Sequence, residues 1–324
     1  MPIGAMLRMH PTDDRISAPQ TYRTWLMDSR RWEAYRPRKN DIVITTYPKS
    51  GTTWVQRIVS LLIFQTSDII NLDRICPWWE RRTGAPIEEI VLDFEAQLHQ
   101  RSIKTHLPLD GLTIYDQTKY IHVVRDGRDV ALSYHNHCRS HTRESIKHLN
   151  KIGMEDDTLL RPYPEIPKDS ADFFHKWLTT PAIDGQSEGS PFLSYFNYEK
   201  TYAQALGKDN FLFIHYDDLQ ANLLNEMEKI ADFINVSISK NVLSMLAKSA
   251  TFKEMQHYGD DLIPITTKNF TNGALGFFNV GKSGRWKSLF SKEDLRLFDE
   301  KLLVLPEHYR KWALSETHSR GSNS

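Results

Sequence analysis

A strand followed directly by a helix recurs along this chain of 324 residues, and this repeated unit constrains the fold more than any other feature. Residues 42–46, 120–124 and 211–216 are rich in β-branched or aromatic residues and predict short, buried strands. Apolar residues at helical spacing follow each of them, with one long helix predicted over 219–234. This alternation predicts an α/β fold, a single domain with a central parallel β-sheet flanked by helices. Ligands of such folds bind at the carboxyl ends of the strands.

The pattern of turn-forming and polar residues sets the expected limits of the domain. We predict one domain over residues 1–314, with loop-rich segments at 1–21 and 140–170. Residues 315–324 are predicted to form a disordered tail. Five Gly and little regular pattern at 256–287 predict a mobile loop or lid.

The formal charge of the chain is balanced, with 41 Lys and Arg against 41 Asp and Glu. Proteins that coat nucleic acid usually carry a basic excess, so no nucleic-acid partner is expected. The longest apolar stretch, at residues 58–64, is too short to cross a bilayer, so no membrane partner is expected either. Two cysteines, Cys76 and Cys138, are too few for a disulfide framework and favour a reducing, cytoplasmic location.

The sequence TYPKSGTTW at residues 46–54 joins the first predicted strand to its helix. The N-terminus of a helix offers unpaired backbone N–H groups and the positive end of the helix dipole, which together bind anions. Gly51 allows close approach of an oxyanion, and Lys49 adds a full positive charge. Hydroxyl donors flank the glycine at Ser50, Thr52 and Thr53. Lys precedes Gly here, unlike in the Walker A motif, and we predict an oxyanion site in preference to an ordinary capped turn.

The sequence KTHLP at residues 104–108 contains a second group of polar residues. In a short strand over 102–106, Lys104 and His106 point to the same face, because side chains two residues apart share a face. A neutral His accepts a proton near pH 7, and a nearby Lys stabilises negative charge. A surface Lys beside a structurally bonded His gives the same pattern, so this pair alone does not identify a site.

The sequence VVRDGRDVALSY at residues 123–134 places Arg125 at the end of the second strand and Ser133 about two turns into the next helix. A guanidinium in that position can bind a phosphate through two hydrogen bonds, although a solvated charged turn fits the same sequence. The basic, Gly-rich sequence GKSGRWK at 281–287 is likewise compatible with a plain loop. No metal site is predicted, because the clustered candidate ligands do not share a helix face, namely His135, His137 and Cys138.

Taken together and in order, these segments resemble the cytosolic sulfotransferase family over residues 22–300. The resemblance is carried by TYPKSGTTW, KTHLP, VVRDGRDVALSY, FLFIHYDDL at 211–219, ATFKEM at 250–255 and GKSGRWK. Such enzymes transfer a sulfuryl group from 3′-phosphoadenosine 5′-phosphosulfate (PAPS) to a hydroxyl or amine of a small-molecule acceptor. The resemblance therefore implies this activity, PAPS as co-substrate without a metal, and a P-loop-like phosphosulfate-binding loop.

The same resemblance implies roles for individual residues. His106 matches the general base, Lys49 the group that stabilises the leaving phosphate, and Lys104 a helper at the transferring group. The loop around the phosphosulfate matches Pro48, Lys49, Ser50, Gly51, Thr52, Thr53 and Trp54, the last of which stacks near adenine. The other donor contacts match Arg125 and Ser133 at the 3′-phosphate, Tyr216, Thr251 and Phe252 around adenine, and Gly281 and Lys282.

The last Gly-rich motif departs from the family pattern. The family usually carries Arg-Lys-Gly there, whereas this chain has Asn279 and Val280 before Gly281. The candidate replacements for the missing cations are Lys282, Arg285 and Lys287. The family's dimer motif is also incomplete after this segment, so no oligomeric state is predicted. Two other functions fit a phosphate-binding loop on a parallel sheet, namely an ATP-dependent small-molecule kinase and a non-catalytic nucleotide-binding module.

Overall fold

A four-stranded sheet lies at the centre of the protein, whose computed structural model describes residues 19–278 and 280–314. The strands are β1 Ile42–Thr46, β2 Ser102–Thr105, β3 Lys119–Val124 and β4 Phe211–His215. Their spatial order is β2-β1-β3-β4, and every pairing is parallel. The predicted central parallel sheet is therefore confirmed. The expected tail, most of the expected N-terminal loop region and Asn279 lie outside the described residues.

Helices connect the strands and cover both faces of the sheet. The helices before β3 are α1 Thr52–Phe64, α2 Leu72–Ile75 and α3 Ile87–Glu95. Between β3 and β4 lie α4 Gly127–Arg139, α5 Arg143–Glu155, α6 Ser170–Thr179 and α7 Tyr195–Ala203. After β4 follow α8 Tyr216–Ala221, α9 Leu223–Phe233, α10 Lys240–Ser249, α11 Phe252–His257, α12 Gly259–Leu262, α13 Pro264–Thr267, α14 Gly273–Phe277, α15 Lys292–Leu302 and α16 Glu307–Ala313. Short 3-10 helices occupy Ser29–Ala34, Leu109–Gly111 and Arg285–Ser288.

Both faces of the sheet are buried, and β1 shows how its residues divide between them. Ile42 and Ile44 enter a hydrophobic core that also contains Val55 of α1. Val43 enters the core on the opposite face, together with Trp177 of α6. Because successive side chains of a strand alternate between faces, a strand covered on both sides needs a continuous apolar run. This requirement explains the sequence of β1.

The carboxyl ends of the four strands meet at one edge of the sheet, because all pairings are parallel. The chain segments that leave this edge begin at Tyr47, His106, Arg125 and Tyr216. The predicted site residues that follow directly after a strand are thereby gathered in one region, as expected for ligand sites in α/β folds.

The prediction of a loop over 140–170 is wrong for helix α5, which begins at Arg143. The side chain of Thr142 caps this helix by accepting the backbone N–H of Ser145 at 3.1 Å. Its buried residues Leu149 and Gly153 face Trp25 of the N-terminal region. A Cβ atom at Gly153 would clash with Nε1 of Trp25, so the helix packs closely enough to offset its polar composition.

Two further segments differ from the sequence prediction. The helix predicted over 219–234 is interrupted at Asn222, whose φ of −149° and ψ of 71° end α8. The side chain of Asn222 then accepts the backbone N–H of Asn225 and begins α9. Within 256–287 the structure contains short helices in place of the predicted loop, and Asp260 fixes α14 by accepting the N–H of Ala274 at 2.8 Å. The mobility of this segment stays a prediction. Among the described residues, no helix is long and apolar enough to span a membrane.

Candidate active site

A cavity opens at the carboxyl edge of the sheet, and most of the predicted site residues line it. Those residues are Pro48, Lys49, Gly51, Thr52, Thr53, Trp54, Lys104, His106, Arg125, Ser133, Tyr216, Phe252, Gly281 and Lys282. Ser50 is buried beneath the loop, where its N–H donates to the carbonyl of Tyr47 at 3.2 Å. Thr251 is exposed and caps α11 by accepting the N–H of Glu254. Neither Ser50 nor Thr251 lines the cavity, and their roles stay predictions.

The loop between β1 and α1 leaves the first backbone N–H groups of α1 without an intrahelical acceptor. Gly51 occupies the N-cap position and supplies no capping side chain. Its φ of 109° lies in the left-handed region, and an added Cβ would approach Cδ2 of Tyr216 to 3.0 Å. Beside it, the hydroxyls of Thr52 and Thr46 are 2.6 Å apart. The helix N-terminus is therefore open toward the cavity and can hold an anion.

His106 follows β2 directly and is held by its neighbours in one protonation state. Its Nδ1 lies 2.8 Å from the carbonyl oxygen of Thr46, so Nδ1 donates and Nε2 keeps the lone pair. The ring packs edge-on against Trp78, with centroids 4.9 Å apart. Burial, and then the nearby charge of Lys104, lower the pKa of His106 to about 3. The imidazole is thus neutral and can accept a proton.

Glu80 supports this arrangement from behind, although no sequence motif pointed to it. Its buried carboxylate accepts the backbone N–H of His106 at 2.6 Å and the hydroxyl of Thr105 at 3.0 Å. It also accepts the indole N–H groups of Trp78 at 2.6 Å and Trp32 at 2.9 Å. A buried carboxylate with four donors orders the groups around it, and here these include both the imidazole and the ring packed on it.

Lys49 and Lys104 place amino groups in the same cavity. Nζ of Lys49 donates to the carbonyl of Phe277 at 3.2 Å and to Nδ1 of His137 at 3.4 Å, and lies 4.3 Å from the centroid of the Phe277 ring. Burial, and then the charge of Arg125, lower the pKa of Lys49 to about 7. Burial also lowers the pKa of Lys104, whose Nζ lies 3.5 Å from Oε1 of Gln56. A bound anion would raise the pKa of both amines and so stabilise their charged forms.

An aromatic and cationic wall forms the other side of the cavity. The guanidinium of Arg125 lies 4.1 Å from the centroid of the Tyr216 ring and donates to the carbonyl of Lys49 at 3.2 Å. The indole of Trp54 donates to the carbonyl of Ala250 at 2.6 Å, and its ring meets that of Tyr216 at 5.5 Å. These contacts fix two aromatic surfaces, which can pack against a nucleobase, beside a guanidinium, which can bind a phosphate.

The segment at 281–287 closes this wall. Both carboxylate oxygens of Asp129 on α4 accept the backbone N–H of Gly284 at 2.9 Å. Arg285 and Lys282 line the cavity, together with Val280. Lys287 is exposed and does not line it. The sequence alone does not show which of these three cations line the cavity, because their distance from it depends on the turn at Gly284.

The histidines considered as metal ligands have separate partners. Nε2 of His135 bonds to the carbonyl of Pro167 at 2.9 Å, whereas His137 faces Lys49. Within residues 19–278 and 280–314, no three His, Cys, Asp or Glu side chains are placed to hold a metal ion. Cys76 and Cys138 are both buried free thiols.

Comparison with known proteins identifies relatives along most of the chain. The family model described as sulfotransferase domain matches residues 39–311. Glycolipid sulfotransferase of Mycobacterium bovis (strain BCG / Pasteur 1173P2) is 32% identical over 317 residues, which cover 94% of this chain and 95% of that protein. Human sulfotransferase 2B1 is 31% identical over 270 residues, covering 81% and 65% respectively.

Solved structures share the fold at lower identity. Mouse sulfotransferase SULT7A1 complexed with PAP matches with a TM-score of 0.63 and 21% identity, covering 89% of this chain and 92% of that chain. Retinol dehydratase in complex with androsterone and inactive cofactor PAP matches with a TM-score of 0.61 and 19% identity, covering 86% and 85%.

Proposed function

The chain belongs to the sulfotransferase family, and we propose that it transfers a sulfuryl group from PAPS to a hydroxyl or amine of a small-molecule acceptor. The observation that carries this proposal is the position of His106. Its Nδ1 is occupied by Thr46, and it lines the same cavity as the open N-terminus of α1. A neutral base and an anion site therefore lie together where an acceptor and an anionic donor can meet.

The donor is proposed to lie along the wall of the cavity that contains Trp54, Arg125 and Tyr216. The open N-terminus of α1 binds the 5′-phosphosulfate through its backbone N–H groups and the hydroxyls of Thr52 and Thr53. The adenine lies against Trp54 and Tyr216, whose rings are already held in place. PAPS as the donor is supported by the PAP, adenosine 3′,5′-bisphosphate, present in the two solved structures of similar fold.

The chemical step is an in-line displacement at sulfur. The acceptor oxygen or nitrogen attacks sulfur while its proton passes to Nε2 of His106, and the new bond to sulfur forms. The bond from sulfur to the bridging oxygen breaks, and its electron pair stays on the 5′-phosphate of PAP. General base catalysis of this kind contributes about 10²–10⁴ in rate.

Lys49 stabilises the charge that builds on the leaving phosphate. Its amine contacts Phe277 and His137, and on donor binding it turns to the bridging oxygen. Lys104 acts on the transferring group from the side of His106, whose pKa its charge already lowers. One preorganised donor of this kind contributes on the order of 10²–10³ in rate.

Lys282 and Arg285 complete the site for the 3′-phosphate together with Arg125 and Ser133. Both cations line the cavity, and they compensate for the uncharged Val280 in the Gly-rich segment. The exposed Lys287 has no part in this site. The domain limits, the cytoplasmic location and the metal-free reaction that the sequence suggested stay predictions.

The proposal is tested by incubating the protein with PAPS labelled with sulfur-35 and a panel of phenols, alcohols, sterols, glycolipids and amines. EDTA is present, and a parallel set contains ATP labelled in its γ-phosphate with Mg²⁺. We expect a labelled sulfate ester or sulfamate only with PAPS. Phosphate transfer from ATP instead supports a kinase, and tight PAP binding without any transfer supports a non-catalytic nucleotide-binding module.

A further inference from the structure

Arg81 places a guanidinium in the cavity wall, and no carboxylate of the described residues forms a salt bridge with it. Its Nε donates to the hydroxyl of Thr83 at 2.8 Å, and Nη1 approaches the hydroxyl of Thr266 at 3.4 Å. No carboxylate oxygen of the described residues lies within 4.0 Å of this guanidinium. We propose that the acceptor carries an oxyanion, such as a carboxylate or a phosphate ester, which Arg81 binds. This inference rests on the proposed sulfotransferase function and names a chemical class of acceptor.

The neighbouring arginine shows what Arg81 lacks. Arg82 donates to the carboxylate of Asp156 at 2.8 Å and to the carbonyl of Thr24 at 2.8 Å. Asp73 is linked to Arg81 only through Thr266, whose hydroxyl donates to the Asp73 carboxylate at 2.7 Å, so the charge of Asp73 acts on Arg81 without direct contact. Uncharged hydroxyls replace neither the charge nor the paired oxygens that a guanidinium binds best.

The position of Arg81 relative to the reaction centre points to the acceptor and not to the donor. Its backbone N–H donates to the carbonyl of Trp78, whose ring packs on His106. Burial lowers the pKa of Lys104 and of His141, and the charge of Arg81 adds to both shifts. The wall proposed for the donor lies elsewhere, where Arg125 packs against the ring of Tyr216.

The surrounding wall is compatible with an anionic group. Thr83 and Thr266, which contact Arg81, are uncharged, and so are the lining residues Leu26, Ser145, Asn269 and Phe270. Among the described residues that line the cavity, the one carboxylate is that of Asp129, which is bound to Gly284 in the donor wall. A partly desolvated guanidinium surrounded by neutral groups favours an oxyanion ligand over an uncharged one.

The probes are two matched series of acceptors with a phenolic hydroxyl at one end and a spacer of two to eight methylene groups. One series ends in a carboxylate, with its methyl ester as the neutral partner. The other series ends in a phosphate monoester, with the alcohol as its partner. Binding is measured by titration calorimetry with free and PAP-saturated protein, so the result does not depend on turnover. Wild type is compared with Arg81→Gln, Arg81→Lys and the surface control Arg74→Gln.

We expect the anionic probe of at least one series and length to bind wild type and Arg74→Gln about 10- to 100-fold more tightly than its neutral partner. Arg81→Gln loses this preference, whereas Arg81→Lys keeps part of it because the charge remains. An unchanged melting temperature and PAP affinity show that Arg81→Gln is folded. The series that shows the preference identifies the oxyanion.

Two results overturn the inference. One is the absence of tighter binding of the anionic probes at every length in wild type, and the other is an undiminished preference in Arg81→Gln. A preference that depends on Arg81, with no sulfuryl transfer to any acceptor, leaves the inference standing and rejects the proposed function. Sulfuryl transfer to neutral acceptors, without tighter binding of the anionic probes, leaves the proposed function standing and rejects the inference.

Discussion

The carbonyl oxygen of Thr46 lies 2.8 Å from Nδ1 of His106. A carbonyl can only accept a hydrogen bond, so Nδ1 carries the ring proton and Nε2 holds the lone pair. Thr46 ends β1, and His106 follows the end of the paired strand β2. The parallel sheet thus sets the tautomer of the proposed base and also positions the anion-binding loop that follows β1.

We expect His106 to remain neutral from pH 8 down to pH 5 in the free protein. Burial and the charge of Lys104 lower its pKa to about 3, far below the usual value of about 6.5. Two-dimensional NMR of the ring nitrogens, assigned with His106→Asn, should show the Nδ1–H tautomer throughout this range. A titration midpoint near pH 6.5 for the His106 signals would contradict the geometry described here.

Donor binding should take up a proton at Lys49. Its pKa of about 7 leaves it mostly neutral at pH 8 in the free protein, and a bound anion raises that pKa again. PAP affinity should therefore fall by up to about tenfold per pH unit above pH 7. Calorimetry at pH 8 in buffers of different ionisation enthalpy measures the uptake. This proton uptake should be lost in Lys49→Met. Proton uptake equal to that of wild type in this variant would show that another group takes up the proton.

Replacing Glu80 with Gln should disturb both stability and turnover. The oxygen of a Gln amide can replace either Oε1, which accepts from Trp78, Thr105 and His106, or Oε2, which accepts from Trp32, but its nitrogen cannot accept from the donors at the other position. Each buried donor left without a partner costs about 1–3 kcal/mol in the free energy of unfolding. Urea denaturation and the rate of transfer measure the two effects. Glu89→Gln, an exposed change on α3, is the matched control and should alter neither. Wild-type stability in Glu80→Gln would show that the four donors do not need two accepting oxygens.

Lys282 and Arg285 should confer selectivity for a 3′-phosphate. We expect Lys282→Ala and Arg285→Ala each to weaken PAP binding by roughly tenfold or more, while AMP binding changes little, because AMP lacks that phosphate. Lys287→Ala is the matched control, since all three residues are exposed but Lys287 alone of the three does not line the cavity. Equal weakening of PAP binding by all three changes would indicate a general effect of positive charge. Unchanged PAP binding in Lys282→Ala and Arg285→Ala would reject the proposal that these residues replace the missing cations.

The sheet and the grouping of the residues that follow its strands could be predicted from the sequence, because the patterns that indicate them are local. The residues of β1 are buried on both faces, and this requires the apolar run that the sequence shows. Parallel pairing then brings the segment after each strand to one edge, so Lys49, His106 and Arg125 reach one cavity without any long-range information.

The parts that sequence did not predict depend on contacts between distant residues. Glu80 orders the site by accepting the backbone N–H of His106, which is 26 residues away in the sequence, and no local sequence pattern predicts this hydrogen bond. Helix α5 has apolar residues at helical spacing, but its polar composition is typical of a loop, and the packing of Gly153 against Trp25 that supports it is a contact between distant residues. The break at Asn222 depends on a cap whose side-chain geometry the sequence alone does not specify.

The most direct test of the central claim is single-turnover transfer of sulfur-35 from labelled PAPS by wild type and His106→Asn, with an acceptor from the panel. Asparagine keeps a donor near Thr46 but has no basic nitrogen. We predict that the transfer rate falls by about 10²–10⁴ while PAP affinity and melting temperature remain those of wild type. A rate within tenfold of wild type, at unchanged PAP affinity, would contradict the assignment of His106 as the base.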